Sequence, residues 1–107
     1  MAQAHEHPGR ALVAVAEEAY GRAAAVFRVA GDVERLRLLT QLADSEWCVT
    51  ELAHATGSNL STVSQRLRVL RGEGLVTTRR EGKHIYYSLA DQHVAELVHN
   101  ALAHAHE

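Results

Sequence analysis

The stretch "ELAHATGSNLSTVSQRLRVLRGEG", residues 51–74, constrains the fold more than any other part of the chain. Its first six residues suit a short helix. Gly57 then stops it, because glycine takes the left-handed backbone of a helix end without a Cβ clash. Serine and asparagine follow, whose short side chains can cap a new helix. Leu60, Val63, Leu67 and Leu70 recur at helical spacing and are expected to point inward, until Gly72 and Gly74 end the run. Short helix, glycine turn and longer helix with a polar start is the order of a helix–turn–helix.

Past Gly74 the period changes. Residues 75–79 and 85–89 are β-prone runs around the turn-forming "EGKH", which predicts a two-stranded hairpin with a basic tip. Ahead of the motif, residues 10–29 place Leu12, Val15, Ala16, Ala19, Tyr20, Ala23, Val26 and Phe27 at helical spacing. Asp32 can cap a second helix whose inner face carries Val33, Leu36, Leu39, Leu42 and Ala43. A last helix starts at Asp91. The expected fold is mainly α with a small β-hairpin: a winged helix–turn–helix of five helices. Residues 1–9, with Pro8 and Gly9, are read as a flexible arm, and residues 10–107 as one domain.

The chain carries a net charge of −2, yet its positive charge is concentrated. Residues 1–60 hold five arginines against eight acidic residues, and residues 84–107 hold no arginine or lysine. Between them lie Arg66, Arg68, Arg71, Arg79, Arg80 and Lys83 against only Glu73 and Glu81. A local basic patch on an acidic chain can bind a polyanion without general stickiness. In a DNA-binding helix–turn–helix the second helix enters the major groove with its N-terminal residues at base edges. Ser61, Thr62, Ser64 and Gln65 hold that place; Gln65 can pair twice with adenine, and serine hydroxyls suit bases or phosphates. Arg66, Arg68 and Arg71 on the helix, with Arg79, Arg80 and Lys83 on the hairpin, are expected to meet phosphate. The lone Cys48 excludes an internal disulfide framework and suits a reducing cytoplasm. No secretory signal is read at "MAQAHEHPGR", and no apolar run approaches the ~20 residues of a membrane span. A soluble, cytoplasmic protein with no membrane partner is expected.

The closing stretch "DQHVAELVHNALAHAHE" carries ligand-type residues at both tips, Asp91 with His93 and His104 with Glu107. His93 and His104 lie eleven residues apart, roughly 16 Å along a helix axis at ~1.5 Å per residue, too far to share an ion. Eleven residues are almost three whole turns, so both project from one face. If the same helix of a second copy packs antiparallel, each Asp91–His93 pair meets a His104–Glu107 pair, and a two-fold axis makes two identical sites. Val94, Leu97, Val98, Ala101 and Leu102 are expected to supply the contact between the helices. Two imidazoles and two carboxylates suit zinc in tetrahedral geometry, with cobalt close behind, whereas nickel prefers additional ligands. The competing reading is a capping aspartate and surface histidines, which is how His99 and His106 on the opposite face are read.

On these residues the chain resembles the ArsR/SmtB family of metal-sensing bacterial repressors. The resemblance covers roughly residues 25–107 and rests on "ERLRLLTQL", "CVTELA", "STVSQRLRVLRGEGLV", "REGKHIYYSL" and above all D-x-H-x10-H-x-x-E, matched by Asp91, His93, His104 and Glu107. It implies a homodimeric repressor that holds a palindromic double-stranded operator when metal-free and releases it on binding metal. It also implies that the first and fifth helices form the dimer interface. Some members carry a second metal site where the third helix begins; here Cys48 and Glu51 could combine with His5 or His7 of the arm. By the same analogy, His104 would tie metal occupancy to the reading helix through a main-chain carbonyl near Gly74. Val33 stands where proline is common, and Leu60 where a polar residue often begins the reading helix.

An enzyme is not expected. Four protein ligands leave zinc no open position for water, and no nucleophile–base motif or phosphate-cradling loop is present, so no small organic substrate is read. Two alternatives remain open: a nickel or cobalt sensor recruiting His5 or His7, and a winged-helix regulator answering to Cys48 oxidation.

Overall fold

A computed structural model describes residues 16–107; the expected arm with His5 and His7, and the first-helix residues Leu12 and Val15, lie outside the described residues. Within them the order is α1 (Glu17–Ala30), α2 (Val33–Leu42), β1 (Trp47–Cys48), α3 (Val49–Thr56), α4 (Leu60–Gly72), β2 (Val76–Glu81), β3 (His84–Leu89) and α5 (Gln92–His106).

Local chemistry starts and stops these helices. The Asp32 carboxylate accepts from the Arg35 N–H at 3.0 Å to open α2. The Asn59 side-chain oxygen accepts from the Thr62 N–H at 2.8 Å to open α4, and Asp91 accepts from the Val94 N–H at 3.1 Å to open α5. Each satisfies an amide that the first turn leaves without a helical partner. At α3 the contact runs the other way: the Glu51 carboxylate accepts from the Cys48 N–H at 2.9 Å. Gly57 ends α3 with φ of 70°, the left-handed backbone expected of it.

The core is continuous across the elements. Leu38, Leu39 and Leu42 from α2, Leu52 from α3, Val63, Leu67 and Leu70 from α4, Leu75 and Val76 at the start of the wing, and Val94 and Val98 from α5 are all buried. Burying an aliphatic side chain of this size contributes ~1.5–3 kcal/mol, so this cluster supplies most of the drive to fold.

The hairpin differs from expectation in two ways. β2 and β3 pair antiparallel from Val76↔Leu89 to Glu81↔His84, leaving only Gly82 and Lys83 as the loop. Gly82 has φ of 62°, and a glycine leading a two-residue loop lets the ladder run to the turn. The sheet also has a third strand: β1 lies on the other edge of β3, with Trp47↔Tyr87 and Cys48↔Tyr86 in register. Two residues show no alternation to read. What selects them is the row of unpaired amides and carbonyls that β3 presents on that edge.

Of the apolar residues that the sequence sets at helical spacing, the large side chains Tyr20, Phe27 (64%), Val33 and Leu60 (50%) are exposed, and so is Ala43. Helix α1 lies against α2 and α4 but offers the core only Val26, Val29 and Ala30, because its apolar stripe is wider than its neighbours can cover. Leu60 stands in the first turn of α4, ahead of the layer where Val63 meets the core. On α5 the apolar stripe divides. Val94 and Val98 pack within this chain against α2 and β3 rather than facing a second copy, while Ala101 and Leu102 stay exposed.

Candidate nucleic-acid interface and metal-ligand pairs

Helix α4 presents one face to solvent. Ser61, Gln65, Arg68 and Arg71 are exposed, with Thr62, Ser64 and Arg66 half-buried beside them. Part of this polar set is already engaged. Asn59 Oδ1 accepts from Ser61 Oγ at 3.2 Å as well as from the Thr62 amide. Arg66 Nη1 reaches Ser58 Oγ at 3.5 Å. Gln65, Arg68 and Arg71 have no side-chain partner among the described residues.

On the wing, Arg80 and Lys83 are exposed and have no carboxylate partner among the described residues. Arg79 differs from the free cation that the sequence suggests. Its Nε and Nη2 donate to the two carboxylate oxygens of Glu46 at 2.9 and 2.7 Å, and Nη1 donates to Glu81 at 2.7 Å. Its guanidinium also stacks over Tyr86, 4.9 Å from the ring centre. The Arg79 hydrogen bonds hold the Glu46 carboxyl below its ordinary range. The same bonds, from Glu46 first and then Glu81, raise the Arg79 pKa. The two-point fork matches guanidinium to carboxylate in the geometry that favours arginine over lysine. Glu46 lies 33 residues before Arg79, so no local spacing could reveal the pair; only the β1–β3 pairing, which brings the 46–48 segment beside the wing, creates it.

The two tips of α5 each hold one imidazole beside one carboxylate. His93 Nδ1 lies 3.8 Å from Asp91 Oδ1, and His104 Nδ1 lies 3.8 Å from Glu107 Oε1. The His93 and His104 side chains are 92% and 85% exposed, so both pairs face solvent. Asp91 serves twice, as the cap of α5 and as the neighbour of His93. Among the described residues no three His, Cys, Asp or Glu side chains gather closely enough to hold an ion. One chain therefore offers two two-residue fragments of an N/O donor set, fewer than the four ligands a closed zinc site takes.

Of the expected second site, Cys48 is half-buried at the head of α3 and Glu51 is bonded to its amide; His5 and His7 lie outside the described residues. His104 makes no hydrogen bond to the Gly74 segment, whose amide donates instead to the Arg71 carbonyl at 3.0 Å.

A helix–turn–helix with an exposed reading face, followed by a basic two-stranded wing, defines a winged helix–turn–helix protein. The chain belongs to the arsR family of bacterial regulatory proteins, whose family model matches residues 32–78. It is 46% identical over 81 residues to a "Transcriptional repressor SmtB homolog" of Synechocystis, covering 76% of this chain and 61% of that one. It is 39% identical over 85 residues to a "Cadmium resistance transcriptional regulatory protein CadC homolog" of Staphylococcus aureus, covering 78% of this chain and 70% of that one. The chain thus spans between three-fifths and seven-tenths of these relatives' length. Among solved structures it resembles the homodimeric winged helix-turn-helix DNA-binding domain of Mycobacterium bovis Mb0332. There the TM-score is 0.80 and the identity 38%, over 84% of this chain and 83% of that one. These relatives are regulators, not enzymes. No described helix is long and apolar enough to cross a membrane.

Proposed function

We propose that this chain is a metal-responsive transcriptional repressor acting in the cytoplasm as a homodimer, released from palindromic operator DNA when zinc, or a similar divalent ion such as cobalt, binds. The observation that carries the reading is the division of ligands on α5: an imidazole–carboxylate pair at each end, both exposed, with no third ligand near either among the described residues. Asp91 and His93 of one chain with His104 and Glu107 of the other complete an N2O2 set, and the two-fold axis gives two such sets. The name of the Staphylococcus relative, a cadmium-resistance regulator, and that of the M. bovis domain, a homodimeric DNA-binding module, support the same reading.

The chain's own residues divide the work. Exposed Ala101 and Leu102 of α5, with half-buried Leu97 and the exposed Tyr20 and Phe27 of α1, form the apolar surface that a second copy covers. Residues of the first turns of α4 enter the major groove, and Arg68, Arg71, Arg80 and Lys83 neutralise phosphates. Arg79 holds the wing instead of touching DNA. The histidines bind as neutral imidazoles, and Asp91 keeps the head of α5 folded while it lies beside His93. An ion held by Asp91 and His93 of one chain with His104 and Glu107 of the other would cross-link the two α5 helices and favour the dimer arrangement in which they are tied. Such an ion can shift the dimer only by its difference in affinity for the two arrangements. If metal weakens operator binding, operator DNA weakens metal binding by the same factor.

The test is operator binding titrated with zinc, cobalt and nickel, each buffered to a defined free concentration. Release by zinc with two ions per dimer is expected. Unchanged DNA binding at saturating metal would sink the proposal, and release by an oxidant alone would transfer it to Cys48.

A further inference from the structure

We infer that Leu60 is a base-reading residue that contacts the C5-methyl group of a thymine in each half-site. The inference rests on the reading of α4 as the helix that enters the major groove, and deepens it by naming what the helix tip recognises. Leu60 is the first residue of α4 and is half exposed, although Val63, one turn further on, is fully buried. An aliphatic side chain left in water at that place forfeits burial that its neighbours gain. The polar atoms around it are spent on the helix end: Asn59 Oδ1 takes the Thr62 amide and the Ser61 hydroxyl, and Ser58 Oγ meets Arg66. Leu60 and Gln65 are the exposed side chains near the tip with no hydrogen bond among the described residues, and the half-buried Thr62 and Ser64 hydroxyls lie beside them.

A leucine has no donor or acceptor. In the major groove the one apolar feature on a base edge is the thymine methyl, so that is the group a leucine at the reading end can recognise. Val69, the other exposed aliphatic of α4, lies nine residues further along, about 13 Å at 1.5 Å per residue, and falls outside the N-terminal part that meets base edges. Gln65 supplies the complementary polar contact, with adenine as its preferred base.

The experiment selects duplexes from a random-sequence DNA pool with the full chain. It then replaces each thymine of the selected site, in turn, by deoxyuridine, which removes the methyl and nothing else. Wild-type protein should lose about fourfold in affinity at one symmetry-related pair of positions per methyl removed, and about fifteenfold when both half-sites are changed. Leu60→Ala should bind the thymine and deoxyuridine duplexes equally, while Leu60→Met, which keeps an apolar contact, should retain discrimination. Helical circular dichroism and dimer dissociation of both variants should match wild type, since the side chain is exposed. Equal sensitivity to deoxyuridine in wild type and Leu60→Ala overturns the assignment. So does a change in dimer affinity without a change in base preference, which would make Leu60 an interface residue. A pool that yields no enriched sequence removes the recognition-helix reading itself, and is told apart from failure of Leu60 alone by the absence of any selected duplex.

Discussion

Arg79 and Arg80 are neighbours in sequence, both exposed, both on the wing, and their surroundings differ. Arg79 is forked onto Glu46, bonded to Glu81 and stacked on Tyr86, whereas Arg80 has no carboxylate partner among the described residues. Each phosphate neutralised by a protein cation contributes about −0.9 to the slope of log K against log salt. Because every substitution acts twice in a homodimer, Arg80→Ala should flatten that slope by about 1.8. Across a fourfold rise in salt the variant would then lose about twelvefold less affinity than wild type. Arg79→Ala should lower affinity with the slope unchanged, because it frees the wing without removing a phosphate contact. Glu46→Gln should behave like Arg79→Ala, since it breaks the same strut from the other side. The Glu46 carboxyl titrates below its ordinary 4.5, so the strut is fully formed above that pH and is lost as pH falls through the lowered value. Binding measured near neutrality therefore has it intact. The assay is fluorescence anisotropy of a labelled operator duplex from 50 to 200 mM salt. The reasoning fails if Arg79→Ala flattens the slope as Arg80→Ala does and Glu46→Gln tightens binding, for then Arg79 is a phosphate ligand that Glu46 merely competes for.

Other outcomes follow from the same geometry. His104→Ala should bind operator normally but no longer release it with zinc; release like that of wild type, in the same titration, would remove His104 from the site. Mixing His93→Ala with His104→Ala chains should regenerate one intact site per heterodimer, seen as one tight zinc equivalent by titration calorimetry; no recovery would place each site within a single chain. Zinc affinity should weaken in acid, because protons compete with the metal for its ligands, and a flat profile in pH-jump competition with a chelator would argue for other ligands. Leu67→Ala, at a fully buried position, should cost about 2–5 kcal/mol in chemical denaturation, and a loss under 1 kcal/mol would mean that α4 is not seated on the core as described.

Much of this protein was determined by the order of its residues alone. Capping side chains at Asp32, Asn59 and Asp91, the glycine at 57 and the change of period after Gly74 act within a few residues, so they can be read without knowing what lies nearby in space. The ligand-type residues of α5 were equally legible, because eleven residues on a helix fix both their separation and their shared face. Tertiary structure decided the rest. Whether Tyr20, Phe27 and Leu60 are buried depends on what stands opposite them, and a helical stripe does not state how much of itself will be covered. The β1 strand exists because β3 has a free edge, and Arg79 left the set of free cations because that strand carries Glu46 to it across 33 residues. Val94 and Val98 likewise went to the chain's own core. Interactions local in sequence are set by backbone geometry, whereas those that join distant segments wait on the packing of the whole chain.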